Sequence, residues 1–160
     1  MLLAFIALIA LVDAPLKWFG EVTGIASWLG QPTSLATLLG YLLAPIAWVI
    51  GTPWEDATVV GSLIGQKVVI NEFIAYTQLA SILNGQVPNV ALSPQGALIA
   101  TYALCGFANF SSIAIQIGGI GGLAPERRQD LARFGMRAVL GGSIATFMTA
   151  TIAGVLTNLS

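Results

Sequence analysis

The chain has 160 residues, a formal net charge of −1 and 8% charged against 56% hydrophobic residues, whereas a soluble domain carries about 25% charge. A mean hydropathy of +0.86 leaves too little polar surface for a water-facing globule, so lipid is the natural solvent. With no His and one Cys, disulfide frameworks, His/Cys metal clusters and Ser-His or Cys-His catalysis are excluded, and no basic run with interleaved aromatics offers a nucleic-acid footprint.

The first apolar run, 2–12, follows Met1 with no basic stretch, which argues against a secretory leader. As a helix it covers roughly 18 Å at about 1.5 Å per residue, short of a hydrocarbon core of about 30 Å. Either the helix continues past Asp13 or the chain begins inside a longer span.

The second element, 34–50, starts at Ser34, a residue suited to capping, and is interrupted by Gly40 and Pro45 before the Gly51-Thr52-Pro53 stop. It is short for a crossing. The pattern predicts an interfacial or partly embedded helix, with Trp48 and Trp54 near the headgroups.

Residues 54–84 read as two helical pieces that meet at the polar Asn71-Glu72-Phe73 and close at Asn84-Gly85. This predicts a re-entrant helical hairpin, whose non-helical tip survives at membrane depth only under a protein or cavity cover.

In 93–120, an apolar helix runs from Gly96 to Gly106 after Pro94, meets the polar Asn109, Ser111 and Ser112, and resumes at Ile113. This is one transmembrane helix broken in its middle. Gly118-Gly119-Ile120-Gly121-Gly122 is expected to end it, and Pro125 suits the first turn of the connection to the last helix.

The closing transmembrane helix, 127–157, is long enough to cross, with Gly141, Gly142, Ala145 and Ala150 permitting close neighbours. Arg127, Arg128, Arg133 and Arg137 crowd its start, which places that end in the cytoplasm. The C-terminus, 158–160, is then extracytoplasmic. The fold class is an all-α membrane protein, multi-pass in the cell inner (plasma) membrane. No short-period repeat suggests a solenoid.

An ionisable residue inside an apolar span costs at least about 2.5 kcal/mol on insertion scales, which makes it a functional candidate. Lys67 and Glu72 qualify. One reading pairs them as an ion pair at a spacing of five; the other projects Glu72 from the hairpin tip toward cargo hydroxyls, with Asn71 tying down the freed backbone and Lys67 neutralising the local field or meeting a partner elsewhere. Glu55 and Asp56 read as charges that stabilise a helix N-terminus.

Asn109, Ser111 and Ser112 form a second polar cluster that can both donate and accept, suited either to a neutral hydroxylated ligand or to holding a kinked helix together. Phe107 and Phe110 read as packing, though an aromatic beside the break can also cover a planar ring. Gln116 is expected to make an interhelical hydrogen bond. Two helix breaks near the midplane point to a transporter's binding site. No nucleophile and base are paired, so no enzyme is expected.

These residues carry a resemblance. Gly65-Gln66-Lys67, Asn71-Glu72-Phe73-Ile74-Ala75-Tyr76 and Leu104-Cys105-Gly106-Phe107-Ala108-Asn109-Phe110-Ser111-Ser112 resemble the concentrative nucleoside transporters, bacterial type. The likeness continues over 118–153, including Gly121-Gly122-Leu123-Ala124-Pro125-Glu126-Arg127-Arg128 and Thr149-Ala150-Thr151-Ile152-Ala153-Gly154.

The resemblance implies an ion-coupled symporter that acts as a homotrimer and moves nucleosides inward by an elevator-like displacement. It implies that 1–160 corresponds to the C-terminal repeat alone, with 1–16 as a truncated scaffold helix and 34–50 as an amphipathic external helix. Glu72 and Asn109 would hold ribose hydroxyls, Ser112 would assist, and Phe107 would lie against the base. The segment itself is expected to bind no cofactor. The coupling cation, sodium or proton, and base recognition are expected to need the missing N-terminal half, and the chain alone is expected not to transport. The contrasting reading is a structural membrane subunit whose intramembrane polar residues serve only helix packing.

Overall fold

The computed structural model describes residues 2–29 and 32–158. They form an all-α fold, and no strand occurs among the described residues. Met1 of the expected scaffold helix and Leu159 and Ser160 of the expected extracytoplasmic end lie outside them.

The first helix, α1 (Leu2–Thr23), runs past the expected boundary at 16 and carries Pro15 within it. At 22 residues it is about 33 Å long. Gly24, at a φ of 77°, ends it, because such backbone favours a residue without Cβ. A short α2 (Ile25–Leu29), unforeseen in the sequence, comes next.

Helix α3 (Leu35–Val49) begins where Ser34 Oγ accepts from the Thr37 amide over 3.1 Å, so the cap is as the sequence predicts. Its first amide, Leu35 N, donates to Asp13 Oδ1 at 2.8 Å, which ties it to α1. The chain then turns through Gly51, at a φ of 104°, into α4 (Trp54–Val69), bent 117° from α3. Trp48 and Trp54, both exposed, meet edge to face at 6.2 Å across this corner.

Helices α3 and α4 touch through glycine. A Cβ on Gly61 would lie 2.7 Å from Gly40 O and 2.8 Å from Ala44 N, and one on Gly65 would lie 2.5 Å from Leu39 Cβ. Small residues let helix backbones approach in this way where lipid supplies no hydrophobic drive.

The chain reverses at Ile70 and Asn71 into α5 (Glu72–Leu83), which stops at Asn84 and Gly85. Helices α4 and α5 are the two arms of the hairpin. Ser93 caps α6 (Pro94–Leu104), residues 105–109 leave helical geometry, and α7 (Phe110–Leu123) resumes beyond them. A 3-10 turn, Pro125–Arg127, leads into α8 (Arg128–Asn158).

Helix α7 does not stop at its glycines but runs through them to Leu123. Gly118, Gly119 and Gly122 face open space, and Gly121 receives the side chain of Arg128, whose Nε donates to Gly121 O at 2.9 Å. In lipid no water competes for the helix's backbone bonds, so glycine breaks it less readily.

The core gathers Val60, Leu63 and Ile64 of α4, Ala75 and Leu79 of α5, Ile99, Ala103 and Leu104 of α6, and Ala150 of α8. Much of the outer surface is apolar: Leu42, Val49, Leu123, Leu140 and Ile144 are exposed, as suits contact with lipid or other protein. Pro125–Thr157 is long and apolar enough to cross a bilayer by itself.

Candidate functional site

Both interruptions leave helix ends whose amides and carbonyls need partners. At the hairpin tip Asn71 Oδ1 accepts from Ile74 N at 3.0 Å and caps α5. Glu72 is the first residue of that helix, where the positive end of the macrodipole favours a carboxylate. In the second break Asn109 caps α7, its Oδ1 accepting from Ser112 N at 2.7 Å and from Ser112 Oγ at 2.8 Å.

The two interruptions meet. Asn109 Nδ2 donates to Glu72 Oε2 at 2.9 Å. Ser111 Oγ is within donating distance of both Ile70 O, the free carbonyl at the end of α4, at 3.0 Å, and Asn109 Oδ1 at 2.8 Å. The amide oxygen of Asn109 is thus fully engaged, and its second Nδ2 hydrogen and Glu72 Oε1 keep hydrogen-bonding capacity.

Of the four residues expected at a ligand, Glu72, Asn109 and Ser112 are linked directly. Asn109 is 1% exposed, whereas Glu72 and Ser112 are half-buried. Phe107 lies in the same unwound stretch, where its carbonyl accepts from Asn109 N at 3.1 Å, and its side chain is 79% exposed. A cleft of about 650 Å³ lies elsewhere, between α3, the hairpin arms and residues 87–91, and neither Glu72 nor Asn109 lines it.

Three expectations need correction. Lys67 makes no ion pair with Glu72; the ion pair among the described residues is Arg127 with Asp130. The Lys67 ammonium instead donates to Ala103 O and Thr146 Oγ1, each at 3.3 Å. Asp56 is more than a helix-end charge: 6% exposed, its Oδ2 accepts from Ser93 N at 3.1 Å and Ser93 Oγ at 2.5 Å, pinning the start of α6 to the start of the hairpin. Gln116 is exposed and makes no hydrogen bond among the described residues.

Sequence reasoning missed the Asp56–Ser93 pair, although Ser93-Pro94 carries the signal of a helix start. It also missed Gly96, where a Cβ would fall 2.2 Å from Asp56 Oδ2. Tyr76 bridges the hairpin to the broken helix, its hydroxyl donating to Thr101 O at 2.7 Å. Among the described residues no group of His, Cys, Asp and Glu could hold a metal ion.

Residues 1–154 match the family described as Na+ dependent nucleoside transporter C-terminus. The chain is similar to the uncharacterized transporter YutK of Bacillus subtilis (strain 168), 49% identical over 155 residues, covering 97% of this chain and 36% of that protein. It is 42% identical over 160 residues to nucleoside permease NupC of Helicobacter pylori, covering 100% of this chain and 37% of that protein. To solute carrier family 28 member 3 of Mus musculus it is 40% identical over 166 residues, covering 98% and 23%.

Among solved structures it resembles CNTnw in an inward-facing substrate-bound state, with a TM-score of 0.81 and 48% identity over 99% of this chain and 37% of that one. A CNTnw variant in an outward-facing state gives 0.79 at 47% identity, covering 99% and 36%. The chain spans 37% of the length of two of these proteins and a smaller share of the others. These relatives are transporters, not enzymes.

Proposed function

Because the chain belongs to the concentrative nucleoside transporter family, as its C-terminal domain, we propose that it supplies the ribose-binding half of a nucleoside:cation symporter's substrate site. The observation that carries this reading is the 2.9 Å contact of Asn109 Nδ2 with Glu72 Oε2, which joins two helix interruptions in one polar site. Glu72 Oε1 accepts from a ribose hydroxyl. Asn109 orients the carboxylate and offers its remaining amide hydrogen, Ser112 holds Asn109 and assists at the sugar, and Phe107 lies against the base.

Coupling to sodium or proton, base recognition and completion of the pocket rest on an N-terminal half supplied with this domain. The working assembly is a homotrimer in the plasma membrane, its C-terminus extracytoplasmic, that carries nucleosides by an elevator-like movement. This chain alone does not transport. The positive charge of Arg127, Arg128, Arg133 and Arg137 at the start of α8 supports that orientation.

The test is uridine binding and cation-driven uptake by this chain grafted in place of the matching segment of its Bacillus subtilis relative. Loss of both in Glu72→Ala and Asn109→Ala variants that still fold is the expected result. A second reading, a structural subunit that uses these side chains as interhelical glue, draws on the 1% exposure of Asn109. It requires both variants to bind uridine as the parent does. Cation-driven uptake by the ungrafted chain in proteoliposomes would overturn its dependence on a partner half.

A further inference from the structure

Lys67 is fully buried, in the last turn of α4. A buried ammonium is ordinarily matched by a carboxylate, yet no carboxylate reaches ion-pair distance of it among the described residues. Its surroundings are carbonyl, hydroxyl and ring. Nζ donates at 3.3 Å to the carbonyl of Ala103, in the last turn of α6, and at 3.3 Å to Thr146 Oγ1 of α8, and it lies 5.8 Å from the Phe147 ring centroid.

The ammonium also borders the interruption itself, since a Cβ placed on Gly106 would lie 3.7 Å from Nζ. Two half-helices, α4 and α6, therefore end around one positive charge. Each such end carries about half a negative charge from its unpaired carbonyls. In transporters built on broken helices, unwound carbonyls and half-helix C-terminal ends are the groups that coordinate monovalent cations. A π face adds further attraction for a cation.

We propose that the Lys67 ammonium is a tethered resident cation, occupying among the ends of α4 and α6 and the wall of α8 the place a mobile monovalent cation would take. It fixes the geometry of both interruptions, and hence the meeting of Asn109 with Glu72, without ion exchange in this half of the protein. Lys67 is thus a positioning residue that does not touch the ligand. The inference stands on packing and charge, independently of which solute the site binds.

The test uses the same graft on the Bacillus subtilis relative, purified in detergent, with unfolding midpoints read in choline chloride, sodium chloride and methylammonium chloride. Lys67→Ala opens a vacancy lined by Ala103 O and Thr146 Oγ1. Its midpoint in choline is expected to fall by at least about 5 °C. Sodium or methylammonium should restore at least about half of that loss, beyond any response of the parent. Lys67→Met keeps the length of the stem without the charge and should stay destabilised in all three salts.

A Lys67→Met protein as stable as the parent would assign the residue to packing alone and overturn the proposal. So would a folded Lys67→Ala protein that gains no more from either cation than the parent does. Should Lys67→Ala fail to fold, Lys67→Arg and Lys67→Met decide: an arginine variant more stable than the methionine variant supports the charge, and the reverse order overturns it.

Discussion

Asn109 and Glu72, 37 positions apart in the chain, share a 2.9 Å hydrogen bond between the first turns of two different helices. Each sits where a half-helix begins, so each interruption supplies half of the contact. Asn109 is fixed by the start of its own helix through Ser111 and Ser112, and it passes that fixity to Glu72 across the contact.

Glu72→Gln separates ligand affinity from folding. Glutamine keeps the shape and loses the charge, and a hydrogen bond to a charged group contributes about 1.5–3 kcal/mol. Uridine affinity of the grafted transporter, by titration calorimetry, should fall about 10- to 150-fold, with the unfolding midpoint nearly unchanged. Asn109→Ala should lose affinity and also about 1–2 kcal/mol of stability, because it removes the cap of α7.

Phe107→Ala tests the base. The ring is 79% exposed, so its truncation should leave the unfolding midpoint where it was. Stacking of an aromatic on a base is worth about 1–3 kcal/mol, which predicts a weakening of uridine binding by about 5- to 150-fold. An unchanged dissociation constant would remove Phe107 from the site.

Asp56→Ala should destabilise the protein by about 2–3 kcal/mol, measured by denaturant or thermal unfolding in detergent, since it leaves the Ser93 amide and hydroxyl without their buried acceptor. Ser93→Ala alone should cost about 1 kcal/mol. The double variant should be little worse than Asp56→Ala, because both act on one network.

Gly106→Ala places a Cβ 2.5 Å from Thr146 Cγ2 and should lower both stability and uridine affinity, by about 1–3 kcal/mol in unfolding free energy. Thr146→Ser removes that methyl and keeps the hydroxyl that accepts from Lys67. Adding it should recover most of the loss. Failure of the serine to compensate would show that the strain lies in the backbone of the interruption instead.

Much of this was legible in the sequence because the signals were local. Ser34 announces a helix start by its side-chain oxygen, Asn71 ties down the tip between two helical pieces, and Pro53, Gly51 and Gly85 mark reversals. The pairing of two polar breaks also came from the chain, since charged and amide side chains inside apolar segments must find partners. What stayed hidden depends on distance in three dimensions. No spacing rule joins Asp56 to Ser93 or Lys67 to Thr146, and the sequence left Lys67 open between the carboxylate five residues away and a partner elsewhere. The glycines of α7 misled for a different reason: glycine weakens a helix partly by exposing its backbone to water, and where lipid or protein surrounds the helix that competition is absent.

The glycine seam between α3 and α4 has a mechanical meaning. Two backbones seated against each other at Gly40 and Gly61, with the Leu39 side chain against Gly65, resist sliding without first lifting apart, which couples α3 to the first hairpin arm. The start of α3 is anchored at Asp13 through the amide of Leu35. A displacement of α3 is therefore shared by α4, whose end at Ile70 O holds Ser111 beside Asn109.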